Sequence, residues 1–246
     1  MKKPDLYYQN NVCGTLNLLN AMKDAEITNI VFSSTCSTYG IPIRVPIHEN
    51  DPQSPINPYG ASKLMIERIL QDYNIAYGLN SISLRYFNAA GADPKSEIGE
   101  RHLPETHLIP ITLRAAYDEE SEITVFGADY DTPDGTCVRD YVHVSDLADA
   151  HVRAIDYLTD GGSSESCNLG LGQGFSVTEV IDSVQRVTGR LIVGVAVPRR
   201  VGDPPILASD AHRAQKVLGW EPKYRDLDSI IRTAWRWHQK DWNGNG

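Results

Sequence analysis

The chain has 246 residues, of which 22% are charged, and a formal net charge of −9. No run of Lys and Arg exceeds two residues, which argues against nucleic-acid binding. No apolar stretch approaches the ~18 residues of a membrane span, and no signal-peptide core follows the N-terminus, so we expect a cytoplasmic protein that does not cross a membrane.

The four cysteines are widely scattered, with no Cys-x-x-Cys pair and no histidine at ligand spacing: Cys13, Cys36, Cys137 and Cys167. This distribution is typical of reduced thiols in a cytosolic protein. It predicts neither a disulfide framework nor a metal site.

The first predicted elements are a helix, a strand and a second helix. Leu16, Leu19 and Met22 fit a helix, and residues 30–32 form the short β-branched and aromatic run that is typical of a strand buried on both faces of a parallel sheet. Asn57 is expected to cap the second helix. The apolar spacing that continues this helix is i, i+3, i+4 and i+7, at Ile66, Ile69, Leu70 and Tyr73.

Tyr59 and Lys63 lie four residues apart at the start of the second helix, with Pro58 at its first position. Residues at this spacing share a helix face, and this face continues into the buried stripe, so both side chains should point inward. A neighbouring cation favours a phenolate, so we expect Lys63 to lower the pKa of Tyr59. Thr35 ends the strand at residues 30–32, at the edge where open α/β sheets bind ligands. The pattern predicts an acid–base site.

Ser33-Ser34-Thr35 together with Tyr59-x-x-x-Lys63 resembles the extended short-chain dehydrogenase/reductase superfamily. Within it, four segments resemble the UDP-glucose 4-epimerase family, and the similarity runs in order from about Asn10 to Trp237: LRYFNAAG at 84–91, PETHLIP at 104–110, DGTCVRDY at 134–141 and RRVGDP at 199–204. The resemblance implies an α/β fold, namely a truncated doubly wound Rossmann-type parallel sheet with a smaller α/β substrate-binding domain.

The resemblance also implies the domain organisation. Residues 1–88 should form the second half of an NAD-binding domain, to which residues 137–170 return, and residues 89–246 should form mainly the UDP-sugar-binding domain. The family begins with a strand and a glycine-rich turn that hold the cofactor pyrophosphate. This chain shows no counterpart, so we expect roughly 80–90 N-terminal residues to be absent, at ~30 residues per βαβ unit.

Two expectations follow for the rest of the chain. Without preceding strands, the strand at residues 30–32 becomes an exposed edge, which invites aggregation. The glycines at 170–174 have the spacing G-x-G-x-G, which is only a loose match to a dinucleotide fingerprint. Ser176 and Glu179 form a capping-box pattern, so these glycines are better interpreted as a turn into a helix.

By resemblance, Tyr59, Lys63 and Thr35 are the catalytic residues. Tyr59 would take the proton of the sugar C4 hydroxyl while hydride passes to NAD, Lys63 would bond to the nicotinamide ribose, and Thr35 would hold the reacting hydroxyl and relay its proton. Asn10 and Phe87 match further cofactor-contact positions.

The implied substrate is a UDP-hexose, gripped through its diphosphate by Arg139 and Arg200. For Arg199 a surface salt bridge is preferred. Phe126 would lie beside the uracil or in the core, His107 stands where some relatives have asparagine, and the residue at 207 leaves open whether N-acetylated sugars fit. The implied substrate-binding positions are Asn88, His107, Leu108, Thr124, Phe126, Arg139, Arg200, Asp203 and Leu207.

Sequence features distinguish this function from related ones. Sugar-nucleotide dehydratases place Asp-Glu directly after the threonine, where this chain has Cys36 and Ser37, so dehydration is rejected. A UDP-xylose/UDP-arabinose 4-epimerase and an inactive UDP-sugar-binding fragment both remain open. The complete protein is expected to form a homodimer, partly through the helices around Tyr59.

Overall fold

The computed structural model describes residues 3–118, 122–200 and 202–244. Val201, within the segment at 199–204, lies outside the described residues. The strands are β1 Asn29–Thr35, β2 Asn80–Tyr86, β3 Asn88–Ala90, β4 Glu122–Phe126, β5 Val138–Arg139, β6 Tyr141–His143, β7 Glu165–Leu169, β8 Phe175–Ser176, β9 Val193–Val197 and β10 Ile206–Leu207. The α-helices are α1 Pro4–Tyr7, α2 Gly14–Asp24, α3 Pro58–Tyr77, α4 Leu108–Tyr117, α5 Val144–Thr159, α6 Val177–Thr188, α7 His212–Leu218 and α8 Leu227–Asn243.

The chain divides into two compact units. The first comprises the chain up to Phe87 together with Ala148–Leu169 and Ser209–Glu221, and the second comprises the remainder. Residues 137–147 belong to the second unit, where β5 pairs with β10 and β8, and β6 pairs with β3. The segment that returns to the first unit therefore begins later than the predicted residue 137. The first unit also contains the stretch around α7, Ser209–Glu221, which the sequence did not indicate.

The first unit is built on a parallel sheet in the order β1-β2-β7. The expected strand at residues 30–32 lies within β1, and β1 is the edge of this sheet among the described residues. Its Ile30, Val31 and Phe32 side chains are only half-buried, so the expectation that this strand is buried on both faces is wrong. The self-association expected from such an edge remains a prediction.

Helix α3 begins as its sequence indicates. The side chain of Asn57 accepts a hydrogen bond from Gly60 N at 2.8 Å, and Pro58 occupies the first helical position. Ile66 and Leu70 are each 1% exposed, and they pack with α2 in a core cluster made of Leu19, Met22, Ile66, Leu70 and Leu79. This packing fixes the rotation of α3 and so decides where its first two turns point.

The second unit has its own apolar core, to which α4, α6 and α8 contribute Leu113, Val184 and Ile230. Two-stranded parallel ladders join β3 with β6 and β4 with β9. Helix α6 begins at the predicted capping box, with Ser176 and Glu179 bonded reciprocally. These elements carry the positions that the resemblance assigns to the substrate.

The glycine-rich segment before α6 is a turn, as its sequence pattern indicates. The backbone N–H groups of Leu171 and Gly172 donate to the Asp140 carboxylate at 2.7 and 3.2 Å. Asp140 is fully buried, and Gly172 has a φ of +75°, a conformation that glycine adopts without strain. Because a buried carboxylate accepts these donors, the segment is not a phosphate cradle.

Among the described residues, no helix combines the length and the apolar character that a membrane crossing requires.

Candidate active site

Thr35, Tyr59 and Lys63 come together at the carboxyl end of β1. Thr35 is 6% exposed, and its hydroxyl accepts a hydrogen bond from Ser37 N at 3.1 Å and is hydrogen-bonded to the Tyr59 phenol. Lys63 Nζ donates to Ser33 O at 2.9 Å and lies 5.8 Å from the centroid of the Tyr59 ring. The structure therefore brings all three predicted catalytic side chains to one end of the strand.

The electrostatics of the pair differ from the expectation. Burial raises the pKa of the Tyr59 phenol, and the hydrogen bond with Thr35 opposes this shift. Burial likewise lowers the pKa of the Lys63 ammonium, because removal from water disfavours the charged form of each group. The expected net lowering of the Tyr59 pKa is therefore wrong for this chain, and Thr35 is the neighbour whose hydrogen bond favours the phenolate.

Directly behind this site lies a buried ion pair that sequence reasoning missed. Arg85 and Glu67 are 4% and 3% exposed, and Arg85 Nη2 lies 2.5 Å from Glu67 Oε2. Ser34 Oγ donates to Glu67 Oε1 at 2.5 Å, and Arg85 Nη1 donates to the hydroxyl of Tyr39 at 2.9 Å. Glu67 follows Lys63 by one helical turn and Ser34 precedes Thr35, so the pair fixes α3 against β1 and β2.

The ion pair also changes how its members titrate. Burial opposes the charge of Arg85, but the hydrogen bonds and the charge of Glu67 outweigh that effect and raise the pKa of the guanidinium. Burial raises the pKa of Tyr39 to about 12, so its hydroxyl stays protonated and donates to Asn168 Oδ1 at 2.7 Å. An arginine within an otherwise buried strand was the sequence signal for this network.

The two further cofactor positions lie in the same unit. Asn10 is exposed in a π-helical segment, Tyr8–Cys13, a geometry that is frequent at functional sites. This segment is tied to α3, because Asn11 Nδ2 donates to Ser62 Oγ at 2.9 Å. Phe87 is 6% exposed at the end of β2, and its N–H donates to Leu169 O at 3.2 Å.

In the second unit, four predicted substrate positions are neighbours. Arg139 of β5 is ion-paired with Asp203, and it is in register with Leu207 of β10. Asn88 contacts Asp140, the residue after Arg139. Its backbone N and its side-chain Nδ2 each donate to Asp140 O at 3.0 Å. The guanidinium of Arg139 is thus held by a carboxylate at the end of a two-residue strand.

A second group is formed by β4 and the segment after β9. Thr124 and Phe126 are exposed positions of β4, which alternate with buried Ile123 and Val125. The guanidinium of Arg200 lies 3.9 Å from the Phe126 ring centroid, a cation–π contact. Phe126 is 37% exposed, which removes the alternative that it belongs to the core.

The adjacent arginine behaves differently. Arg199 Nε lies 2.7 Å from Asp129 Oδ1, and both side chains are largely exposed. Its guanidinium also lies 4.3 Å from the Tyr130 ring centroid. The surface salt bridge predicted for Arg199 is present, and the two consecutive arginines contact different partners.

His107 and Leu108 begin α4, with His107 at the N-cap and Leu108 partly buried against the core of the second unit. His107 contacts Glu100, and this hydrogen bond raises the pKa of the imidazole. Four side chains that the sequence reasoning did not connect converge here: Glu100, His102, Glu105 and His107. The pattern Glu-x-His-x-x-Glu-x-His was the available signal.

The chain is similar to proteins of known family. The NAD dependent epimerase/dehydratase family matches residues 1–170. The UDP-glucose 4-epimerase of Halalkalibacterium halodurans is 51% identical over 244 residues, which are 99% of this chain and 73% of that protein.

Solved structures agree with these sequence relatives. UDP-glucose 4-epimerase from Brucella ovis in complex with NAD matches with a TM-score of 0.92 and 51% identity, over 96% of this chain and 72% of that one. The enzyme from Bifidobacterium longum in complex with NAD⁺ and UDP matches with a TM-score of 0.90 and 41% identity, over 98% of this chain and 72% of that one.

Proposed function

This chain belongs to the NAD-dependent epimerase/dehydratase family, and on that premise we propose that it interconverts UDP-glucose and UDP-galactose by transient oxidation at C4 of the sugar. The observation that carries the proposal is the meeting of Thr35, Tyr59 and Lys63 at the carboxyl end of β1. An identity of 51% to a UDP-glucose 4-epimerase over nearly the whole chain supports the same reaction.

The residues at this strand end suit NAD. NAD supplies the group that takes a hydride from C4 and returns it to the opposite face. An ammonium has three N–H donors, and the bond to Ser33 O uses one of those on Lys63 while holding the amine at the strand end. Lys63 is proposed to donate to the ribose hydroxyls, and Asn10 and Phe87 to contact the same cofactor.

Tyr59 is proposed to accept the proton of the C4 hydroxyl and to give it back after the sugar has turned. A general base must be ionised when it acts, and burial of this phenol works against ionisation. The hydrogen bond from Thr35 favours the phenolate and holds its oxygen in place. Thr35 would also bond to the reacting hydroxyl and relay its proton.

The second unit is proposed to hold the nucleotide. Arg139 and Arg200 would bind the two phosphates, since a guanidinium presents paired donors to phosphate oxygens. Asp203 orients Arg139, and the exposed ring of Phe126 would lie beside the uracil with Arg200 on its face. The further positions proposed to contact the UDP-sugar are Asn88, His107, Leu108, Thr124 and Leu207.

Strong binding of the nucleotide combined with weak binding of the hexose would allow both epimers to react. Charged groups would hold the diphosphate firmly, whereas the hexose must rotate so that either face of C4 meets the hydride carrier. Binding energy spent on the nucleotide therefore positions the reaction without fixing the sugar.

We also propose a cytoplasmic homodimer that associates through α3. The outer side of α3 lines a groove of about 410 Å³, with Leu64 and Met65 among its walls. Met65 is 46% exposed, and an exposed apolar side chain on a helix suits helix–helix packing between two copies. The four cysteines are thiols rather than disulfides, which fits a reducing compartment.

The test begins with the nicotinamide content of the purified chain after denaturation. The chain is then assayed for conversion of UDP-galactose to UDP-glucose, with UDP-xylose as a second substrate and Tyr59→Phe as the control. NAD binding with turnover that disappears in Tyr59→Phe supports the proposal. If the chain turned over UDP-xylose but not UDP-galactose, its substrate would be a UDP-pentose rather than a UDP-hexose. If it neither bound NAD nor turned over either sugar, the assignment would be overturned.

A further inference from the structure

A group of two imidazoles and two carboxylates lies on the segment just before α4. Glu100, His102, Glu105 and His107 each offer one potential ligand atom, and these atoms all lie within 4.8 Å of one another. All four belong to the second unit, and the catalytic chemistry described above uses none of Glu100, His102 and Glu105.

The spacing of these atoms matches a small tetrahedral cation. Zn²⁺ binds imidazole nitrogen and carboxylate oxygen at about 2.0–2.2 Å, which places tetrahedral ligand atoms roughly 3.4 Å apart. His102 Nδ1 lies 2.9 Å from Glu100 Oε1 and 3.8 Å from Glu105 Oε2. His107 Nδ1 lies 3.6 Å from Glu105 Oε1 and is also in contact with Glu100 Oε1. Small side-chain rotations would bring all four ligand atoms within bonding distance of one ion.

The segment that carries the ligands is held from behind by α8. Trp237 Nε1 donates to Glu100 O at 3.1 Å, and Lys240 Nζ donates to Ser96 O at 2.8 Å. Arg101 forms an ion pair with Asp241. These three anchors fix the backbone on which the first two ligands stand, so binding an ion would order few additional residues.

The second pair of ligands is fixed by its own backbone. Glu105 Oε1 accepts hydrogen bonds from Thr106 N at 2.7 Å and His107 N at 2.8 Å. Bonds of this kind orient metal-binding carboxylates and account for much of the affinity of a site. The carboxylate is thereby held with its other oxygen facing His102.

A buried imidazole behind the group adds to the argument. His238 of α8 is 4% exposed, and among the described residues its Nδ1 has no hydrogen-bond partner. It lies within electrostatic reach of Glu100 and Glu105. This unpartnered nitrogen lies on the same helix whose Trp237 and Lys240 anchor the segment.

We infer that Glu100, His102, Glu105 and His107 form a Zn²⁺ site that fastens this segment at the N-terminus of α4. Two imidazoles favour a borderline transition ion such as Zn²⁺ over Mg²⁺ or Ca²⁺, which prefer oxygen ligands throughout. The four protein ligands close the tetrahedron, as in structural rather than catalytic zinc sites. Of its four ligands, only His107 is also among the substrate contacts proposed above.

The experiment is calorimetric titration of ZnCl₂ into the untagged, chelator-treated full chain, with MgCl₂ as the comparison ion. One Zn²⁺ is expected to bind per chain, and Co²⁺ is expected to give the intense visible absorption of a tetrahedral complex. In His102→Asn the Zn²⁺ affinity should fall by at least about tenfold. The His102 side chain is 54% exposed, so this variant should fold as the parent does.

Two further variants make the result specific. Glu105→Gln keeps an oxygen that can accept the two backbone bonds but loses the anionic ligand, and it should weaken Zn²⁺ binding as His102→Asn does. His212→Asn removes an imidazole whose side chain is 87% exposed in the first unit, and its Zn²⁺ affinity should equal that of the parent. The absence of saturable Zn²⁺ binding, or equal affinity in all four proteins, would overturn the inference.

Discussion

Thr35, Tyr59 and Lys63 occupy the end of a seven-residue strand and the first turns of a 20-residue helix in the first unit. Most of the proposed UDP-sugar contacts of the second unit lie on strands of two to five residues and on the segments between them, and His107 and Leu108 lie at the start of α4. The first group is backed by a buried ion pair, whereas in the second group Arg139, itself a proposed substrate contact, is paired with Asp203, whose side chain is 27% exposed.

The two units therefore meet different functional requirements. Proton transfer needs side chains fixed to within a fraction of an ångström, and a buried network behind the site supplies that rigidity. Binding a flexible diphosphate requires arginine side chains that can exchange a carboxylate partner for a phosphate. Substitutions in the first unit should therefore affect the rate or the stability, and those in the second should affect substrate affinity.

The largest effect is expected for Tyr59→Phe. Loss of the phenol oxygen removes the general base, which should lower kcat by roughly 10³-fold, or about 4 kcal/mol. Steady-state assay of UDP-galactose turnover measures the change, and UDP affinity should stay the same. A drop in UDP affinity comparable to the drop in kcat would mean that the first unit also governs nucleotide binding.

Glu67→Gln tests the rigidity of the first unit. Removing the carboxylate charge leaves Arg85 buried without its counter-ion, so the free energy of unfolding should fall by about 3 kcal/mol. Urea unfolding measures this loss. The control is Asp24→Asn, which breaks an ion pair with Lys23 whose side chains are 77% and 42% exposed and should cost under about 0.5 kcal/mol. Equal losses in the two variants would contradict a special role for the buried pair.

Arg139→Met tests the nucleotide grip of the second unit. Loss of a charge-assisted bond to phosphate should cost about 2 kcal/mol, seen as a ~30-fold rise in KM for the UDP-sugar with a much smaller change in kcat. Arg199→Met is the matched control, since Arg199 is committed to Asp129. It should change KM by less than about twofold.

Thr35→Val tests the electrostatics of the base. The Thr35 hydrogen bond lowers the Tyr59 pKa against the effect of burial, so its loss should raise that pKa further. The fraction of phenolate at neutral pH then falls, and the rise of kcat with pH should move to more alkaline values. Thr35→Ser keeps the hydroxyl and should keep the parent profile. An unshifted profile in Thr35→Val would show that Tyr59 is not the titrating base.

Local patterns in the sequence were enough to predict helix α3 and the placement of the catalytic side chains in the first unit. The cap at Asn57, the buried stripe through Ile66 and Leu70, and the placement of Tyr59 with Lys63 all follow from the 3.6-residue period and from turn chemistry. The pKa direction of Tyr59 did not follow, because burial depends on residues such as Tyr7 that pack against the ring from elsewhere in the chain.

The functional positions of the second unit could be predicted only from the family resemblance. The pairing of Arg139 with Leu207 joins residues far apart in sequence across two very short strands, and no periodicity can indicate a two-residue ladder. The contact between Arg200 and Phe126 is long-range in the same way. The group around His102 is local, but spacing on an irregular segment does not determine whether side chains converge.

The three-segment composition of the first unit has a consequence for how the chain is made. Strand β2 ends at Tyr86, and its partner β7 begins at Glu165, so at 5–20 residues per second the ribosome needs roughly 4–16 s to supply it. During that interval one edge of β2 has no strand to pair with. Helix α7, at His212–Leu218, arrives later still. A fragment cut after Phe87 would lack the third strand of its own sheet, so the first of the three segments cannot complete the sheet of the first unit alone.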